Sequence, residues 1–219
     1  METEQDSIAK IKEQGILPLF YHDDITVCIP ITKALYDAGI RVIEFTNRGP
    51  KALENFSQLV LERNHSWPGL LLGIGTIKTA SDASAFIDAG ADLLISPVFD
   101  SSICDVAYLQ KILWIPGCMT PGEIHEAAAA GCSLIKLFPG SLLGPGFIEA
   151  IRPVFAGLDF VVTGGVETDE ANLRSWFTAG AAGVGLGSKL ITKTLLEQED
   201  YAALEKKTRN LLALVKQWL

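Results

Sequence analysis

The sequence predicts an α/β protein, a single (β/α)8 TIM barrel with an extra N-terminal helix, spanning residues 1–219. Short apolar strands alternate with helices along the whole chain, and the helix ends repeat a pattern of small residues with glycine (DAGI, DAGA, AAGC, TAGA). Eight such units in about 200 residues fit a compact closed barrel. An open doubly wound sheet is the alternative architecture.

Local signals place the elements along the chain. Gly39 is typical of a helix end, Pro50 of a helix start, and Thr120 with Glu123 forms a capping box. The extra helix is predicted over residues 6–14. Strands are predicted over 16–20, 41–46, 70–76, 91–97, 112–118, 134–139, 160–165 and 182–187. Helices are predicted over 25–38, 50–63, 79–89, 102–111, 120–130, 147–155, 169–179 and from 188 to the C-terminus, with a break near 199–200.

Composition restricts the classes of function. The net charge is -8 and the pI about 4.9, which argues against a general affinity for nucleic acid or anionic membranes. The N-terminus lacks an apolar signal region, and no apolar run approaches the roughly 20 residues of a membrane span. The four scattered cysteines form no CxxC pair and indicate reduced thiols in a cytoplasmic protein. The three histidines (His22, His65, His125) show no metal-ligand spacing.

The segment LIKLFPG (134–140) places Lys136 inside an otherwise apolar strand. An ammonium group there loses hydration, which favours the neutral amine, a nucleophile for carbonyl compounds. Alternatively, Lys136 lies at the strand end and extends its amine to water. The sequence around the other strand ends favours the first interpretation.

Polar residues gather at the predicted carboxyl ends of the strands, where barrels of this kind carry their active sites. Glu44 can act as a general acid or base, or form an ion pair with Lys136 or Arg48. Arg48 can hold a carboxylate with two hydrogen bonds, or lie solvated in a loop. Thr76 can offer a hydroxyl to a ligand, or cap the next helix.

Two glycine-rich segments follow the last two strands, TGG (163–165) and GLGS (185–188), and the second is predicted to open a helix. Free backbone amides at this place form a recurrent phosphate site in barrels. Two tight turns are the alternative. No Rossmann or Walker loop is present.

The chain resembles the 2-keto-3-deoxy-6-phosphogluconate (KDPG) aldolase family, which includes enzymes that cleave 4-hydroxy-2-oxoglutarate. The shared motifs run over nearly the whole chain: VIEFTNR, LGIGT, ISP, IPGCMTP, IKLFPG, VVTGGV and GLGSKL. The resemblance implies a class I, metal-independent lyase without a cofactor, cytoplasmic and homotrimeric. One departure is Tyr21-His22, where some relatives carry a basic residue that reaches the ligand.

By position, the resemblance implies that Lys136 forms the Schiff base and that Glu44 moves protons through a water molecule. It implies that Arg48 and Thr76 hold the pyruvyl carboxylate. The remaining implied site residues are Phe138 beside the imine, Pro97 and Thr163 in the pocket wall, and Gly164, Gly165, Gly187 and Ser188 in the phosphate cradle.

The expected reaction is reversible cleavage of 2-keto-3-deoxy-6-phosphogluconate to pyruvate and glyceraldehyde 3-phosphate. The 6-phosphogalactonate epimer and 4-hydroxy-2-oxoglutarate are alternative substrates. Two other functions stay open from the residues: an isomerase or synthase for a phosphorylated metabolite, and a sugar-phosphate binding protein without catalysis.

Overall fold

The strands form one parallel sheet in the order β5-β4-β3-β2-β1-β9-β8-β7-β6, in a computed structural model that describes residues 3–219. They are β1 (Ile16–Phe20), β2 (Val42–Thr46), β3 (Leu71–Gly75), β4 (Leu93–Ile95), β5 (Leu113–Ile115), β6 (Gly117–Cys118), β7 (Leu134–Leu137), β8 (Asp159–Thr163) and β9 (Gly183–Leu186). The outermost strands, β5 and β6, are successive pieces of one extended segment. The sheet therefore closes on itself, which confirms the predicted barrel.

The described chain has nine strands where eight are predicted, because the fifth is divided at Pro116. Proline has no amide to donate to a ladder. Its carbonyl still accepts the amide of Lys136 at 2.9 Å, so the division does not open the barrel.

The helices of the described residues are α1 (Glu4–Gln14), α2 (Ile25–Ala38), α3 (Ala52–Ser66), α4 (Ala80–Asp88), α5 (Ser101–Gln110), α6 (Pro121–Ala129), α7 (Gly140–Leu143), α8 (Pro145–Ile151), α9 (Glu170–Ala179), α10 (Lys193–Glu197) and α11 (Tyr201–Val215). The break near 199–200 is confirmed. The prediction of a helix from Ser188 is wrong, because the amides of Leu190 and Ile191 both bond back to Gly187 in a single turn. Regular helix begins only at Lys193.

Alternate side chains on each strand separate two cores. Ile43 and Phe45 of β2 point outward and pack under the helices. Val42 points inward, where it joins Leu71, Leu134 and similar residues in the barrel interior. This alternation decides which polar residues of a strand reach the interior.

Helix α1 closes the amino-terminal end of the barrel. Its Ile8 and Ile11 belong to the interior cluster. Gln14, at the end of the helix, accepts the amides of Arg41 and Val42 at 2.6 and 3.0 Å. The site is therefore restricted to the opposite, carboxyl end.

Among the described residues, none of the helices combines the length and the apolar character that a membrane crossing requires.

Candidate active site

Lys136 and Glu44 reach the barrel interior because each occupies an inward position of its strand. Lys136 lies one pleat beyond Leu134 on β7, and Glu44 one pleat beyond Val42 on β2. Strand closure then brings together two residues that are far apart in the chain. Nζ of Lys136 lies 3.7 Å from Oε1 of Glu44.

Both side chains are shielded from water, with exposed fractions of 6% for Lys136 and 0% for Glu44. Lys136 therefore does not extend to solvent, and the alternative of a solvated strand end is excluded. A separation of 3.7 Å makes an ion pair but is too long for a hydrogen bond. Both oxygens of Glu44 are buried without a hydrogen-bond donor from the described residues, so they are available to a ligand.

Inward-facing glycines make the space around this pair. A Cβ atom at Gly75 would lie 1.8 Å from Oε1 of Glu44. On the other side of the amine, the ring of Phe138 has its centroid 5.5 Å from Nζ of Lys136, within cation–π range. The result is a cationic or nucleophilic nitrogen between a carboxylate and an aromatic face.

Arg48 and Thr76 meet at the mouth of the barrel, after β2 and β3. Nε of Arg48 donates to the hydroxyl of Thr76 at 3.4 Å, and Arg48 is exposed. Thr76 does not cap the next helix, because Thr79 accepts the amide of Asp82 in that role. Thr76 instead adopts a φ of 61°, which is rare for a β-branched residue.

The glycine-rich segments after β8 and β9 present free amides. Gly164 and Gly165 both have positive φ, 92° and 79°. Within residues 3–219, no protein acceptor bonds the amides of Gly164, Gly165, Gly187 or Ser188. An anion can therefore bind here to backbone donors. The single turn after Gly187 replaces the predicted helix start, so a helix dipole adds little.

The other predicted residues lie at the same end. Thr163 is buried, its hydroxyl has no partner among the described residues, and a Cβ at Gly185 would lie 2.5 Å from it. Pro97 packs against Gly117, which pairs in register with Lys136. Ser188 is exposed and makes no hydrogen bond to the other candidates.

The sequence does not identify Ser141 as a neighbour of the site, and it marks Tyr21 only as part of the segment that differs from relatives with a basic residue there. Ser141 donates its amide to the carbonyl of Gly164 at 2.7 Å and packs on Gly165. Tyr21 packs over Gly49 beside Arg48. The glycines were the available signal, since each leaves space that a distant side chain fills.

Comparison with known sequences identifies the family of the chain. A sequence model described as the KDPG and KHG aldolase family matches residues 7–207. The chain belongs to this aldolase family. It is thus an aldolase, a lyase that breaks or forms carbon–carbon bonds.

Relatives of this aldolase are named for different substrates. A probable 2-dehydro-3-deoxy-6-phosphogalactonate aldolase of Rhizobium meliloti is 34% identical over 161 residues, 73% of this chain and 74% of the relative. A 2-dehydro-3-deoxy-phosphogluconate aldolase of Haemophilus influenzae is 26% identical over 215 residues, 98% and 99% of the two chains.

Solved structures include a KDPG aldolase of Legionella pneumophila that holds pyruvate as a covalent carbinolamine. It superposes on this aldolase with a TM-score of 0.85 at 25% identity, covering 93% of this chain and 97% of the other.

Proposed function

We propose that this aldolase cleaves a phosphorylated 2-keto-3-deoxy sugar acid through a Schiff base on Lys136. The observation that carries the proposal is the buried pair itself: Nζ of Lys136 lies 3.7 Å from the Glu44 carboxylate, inside the barrel. The free amides of the glycine segments support a phosphate at the far end of the substrate.

The reaction begins when the neutral amine of Lys136 adds to the C2 ketone to form a carbinolamine. Loss of water gives an iminium, which accepts the electron pair of the breaking C3–C4 bond and becomes an enamine. Glu44 takes the proton of the C4 hydroxyl, and the aldehyde leaves. Protonation at C3 and hydrolysis of the iminium then release pyruvate and regenerate Lys136.

Position supports the roles of the other residues. Arg48, fixed against Thr76, holds the carboxylate so that the ketone faces the amine. Phe138 packs beside the imine, and Pro97 and Thr163 line the pocket. Ser188 and the glycine amides bind the phosphate.

The principal substrate proposed is 2-keto-3-deoxy-6-phosphogluconate, which yields pyruvate and glyceraldehyde 3-phosphate. The name of the Rhizobium relative supports the 6-phosphogalactonate epimer as a second candidate. Pyruvate release from each epimer and from 4-hydroxy-2-oxoglutarate decides among them. The homotrimer and the cytoplasmic location stay predictions.

Borohydride reduction in the presence of pyruvate tests the mechanism. We expect a reduced pyruvyl adduct on Lys136, found by intact mass and peptide mapping, and no adduct in Lys136→Ala. Lys207→Ala is the matched control, because Lys207 is another partly buried lysine whose pKa is lowered by burial. A folded wild-type protein without the adduct would remove the Schiff base and favour a phosphate-ligand isomerase or a binding protein.

Substitution of the carboxylate tests proton transfer separately. Glu44→Gln keeps the shape of the side chain, and turnover should fall about 100-fold or more because general acid–base catalysis is lost. Steady-state pyruvate release measures the change. An unchanged rate would exclude Glu44 from the mechanism.

A further inference from the structure

The loop of residues 47–51 carries Arg48 and is fixed by backbone hydrogen bonds at its beginning. The amide of Asn47 donates to the carbonyl of Gly75 at 2.8 Å, and that of Arg48 to the carbonyl of Thr46 at 2.9 Å. At its other end, Lys51 precedes α3 and supplies no side-chain cap to that helix. Backbone bonds hold this end as well, since the amide of Ala52 donates to the carbonyl of Gly49 at 3.1 Å. One further contact with this end comes from elsewhere in the chain.

Tyr21, directly after β1, supplies that contact. Its hydroxyl accepts the amide of Lys51 at 3.3 Å and is also hydrogen-bonded to Asp23. Its ring packs on Phe45 with 5.6 Å between centroids. A Cβ at Gly49 would lie 2.2 Å from the Tyr21 hydroxyl oxygen. The loop therefore passes closer to Tyr21 than any residue other than glycine at position 49 would allow.

The segment that bears Tyr21 is itself held by a buried side chain. Asn55 on α3 is 2% exposed, and its Nδ2 donates to the carbonyls of His22 and Asp23 at 3.0 and 2.9 Å. The segment that carries Tyr21 is thus held by Asn55, and the hydroxyl of Tyr21 points toward the 47–51 loop.

We propose that Tyr21 is a positioning residue that acts through Arg48. Its hydroxyl sets the height of the 47–51 loop above the barrel mouth, and with it the place where the guanidinium meets the substrate carboxylate. The inference rests on the proposed function of Arg48 as the carboxylate ligand. It assigns Tyr21 a contact with the loop, in place of a direct contact with the substrate.

Tyr21→Phe removes only the hydroxyl. Half-saturation for pyruvate in borohydride trapping should rise roughly tenfold, as expected for one lost hydrogen bond and a small displacement of the guanidinium. The rate at saturating pyruvate should change less than twofold, because Lys136 and Glu44 stay in place. Tyr36→Phe is the matched control, since it removes a tyrosine hydroxyl that donates to the carbonyl of Pro68 at 3.1 Å, away from the loop.

Tyr21→Phe made in the Arg48→Ala variant tests whether Tyr21 acts through Arg48. There, Tyr21→Phe should produce no further change in half-saturation. An effect of full size in that background, or an unchanged half-saturation in Tyr21→Phe alone, would overturn the inference. Gly49→Ala should reproduce the loss with the hydroxyl intact, because the added methyl group pushes the loop from Tyr21.

Hydrogen–deuterium exchange gives a readout that is independent of catalysis. The amides of Arg48, Gly49, Lys51 and Ala52 should exchange faster in Tyr21→Phe than in the wild type and in Tyr36→Phe. Unchanged exchange would also overturn the inference. A wild-type protein that traps no pyruvate would instead overturn the proposed function, and the exchange rates would still decide whether Tyr21 holds the loop.

Discussion

At the scale of single residues, the site has two features that cost free energy: the buried ion pair of Lys136 with Glu44, and the unusual backbone conformation of Thr76. Removing charged groups such as Lys136 and Glu44 from water costs several kcal/mol per ion, and mutual attraction offsets only part of this. Neither oxygen of Glu44 has a hydrogen-bond donor among the described residues. Such a pair is weak as a stabilising device, which agrees with a chemical role.

Thr76 offers the clearest separation of stability from function. Its φ of 61° stores strain of about 1–3 kcal/mol, and glycine adopts this conformation readily. Thr76→Gly should therefore raise the free energy of unfolding by about 1 kcal/mol after the entropy cost of glycine. Affinity for pyruvate should fall, because the hydroxyl that Arg48 contacts is lost.

Urea unfolding and saturation of borohydride trapping measure the two effects. Thr76→Ser, which keeps the hydroxyl, is the control and should retain most of the affinity. A glycine variant that is less stable than the wild type and binds pyruvate equally well would contradict the assignment.

At the scale of elements, the barrel separates stability from chemistry along its axis. Helix α1 closes the amino-terminal end, where Ile8 and Ile11 fill the interior cluster. The polar groups occupy the carboxyl end, beside inward-facing glycines such as Gly75. Substitutions in α1 should therefore change stability while the reacting groups keep their geometry.

Ile11→Ala tests this separation. Ile11 is 2% exposed, and its truncation should lower the free energy of unfolding by about 2–4 kcal/mol through lost burial and a new cavity. In the folded variant, trapping of pyruvate on Lys136 should stay within twofold of the wild type. Leu61→Ala is the control, because Leu61 is 70% exposed on α3 and its change in stability should be within about 0.5 kcal/mol. A large loss of trapping in folded Ile11→Ala would contradict the separation.

At the scale of the whole molecule, the net charge of -8 opposes anions, so the proposed binding of a phosphate depends on local donors. Under the proposed function, the free amides of the glycine segments act on the substrate phosphate at short range, whereas most carboxylates lie on the solvated surface and are screened by salt. Three of the four thiols are also buried, in the core between the barrel and its helices.

Above pH 9, the free energy of unfolding should depend on the ionisation of these three thiols. Burial raises the pKa of Cys28, Cys118 and Cys132 from 9.0 to about 12. Between these values the folded protein keeps protons that the unfolded chain has lost, so stability falls as the pH rises. Below pH 9 both states are protonated and the contribution is constant.

Cys28→Ala isolates one thiol, because the cavity that the substitution leaves costs the same at every pH. From pH 9 upward, the wild type should lose stability relative to this variant by up to about 1.4 kcal/mol per pH unit. Urea unfolding from pH 7 to pH 10.5 measures the difference. Parallel curves for the two proteins would show that the Cys28 thiol ionises equally in the folded and unfolded states.

Much of the fold and of the candidate site can be predicted from the sequence, because hydrophobic periodicity is a local property. The predicted bounds of β1 and α2 agree with the structure, and the alternation in LIKL and VIEFT places Lys136 and Glu44 on the same side as the apolar residues two positions before them. The alternation of strands and helices predicted the fold class, and the polar strand ends together with the family motifs predicted the candidate residues.

Tertiary structure alone decided how these residues meet. Periodicity assigns a face but not the strand that lies opposite, so the 3.7 Å contact of Lys136 with Glu44 depends on closure of the barrel. The carbonyl of Pro116 accepts the amide of Lys136, and the hydroxyl of Tyr21 accepts the amide of Lys51, so both hydrogen bonds join segments that are distant in the chain. Such bonds form only when the whole sheet closes, and no local pattern specifies them.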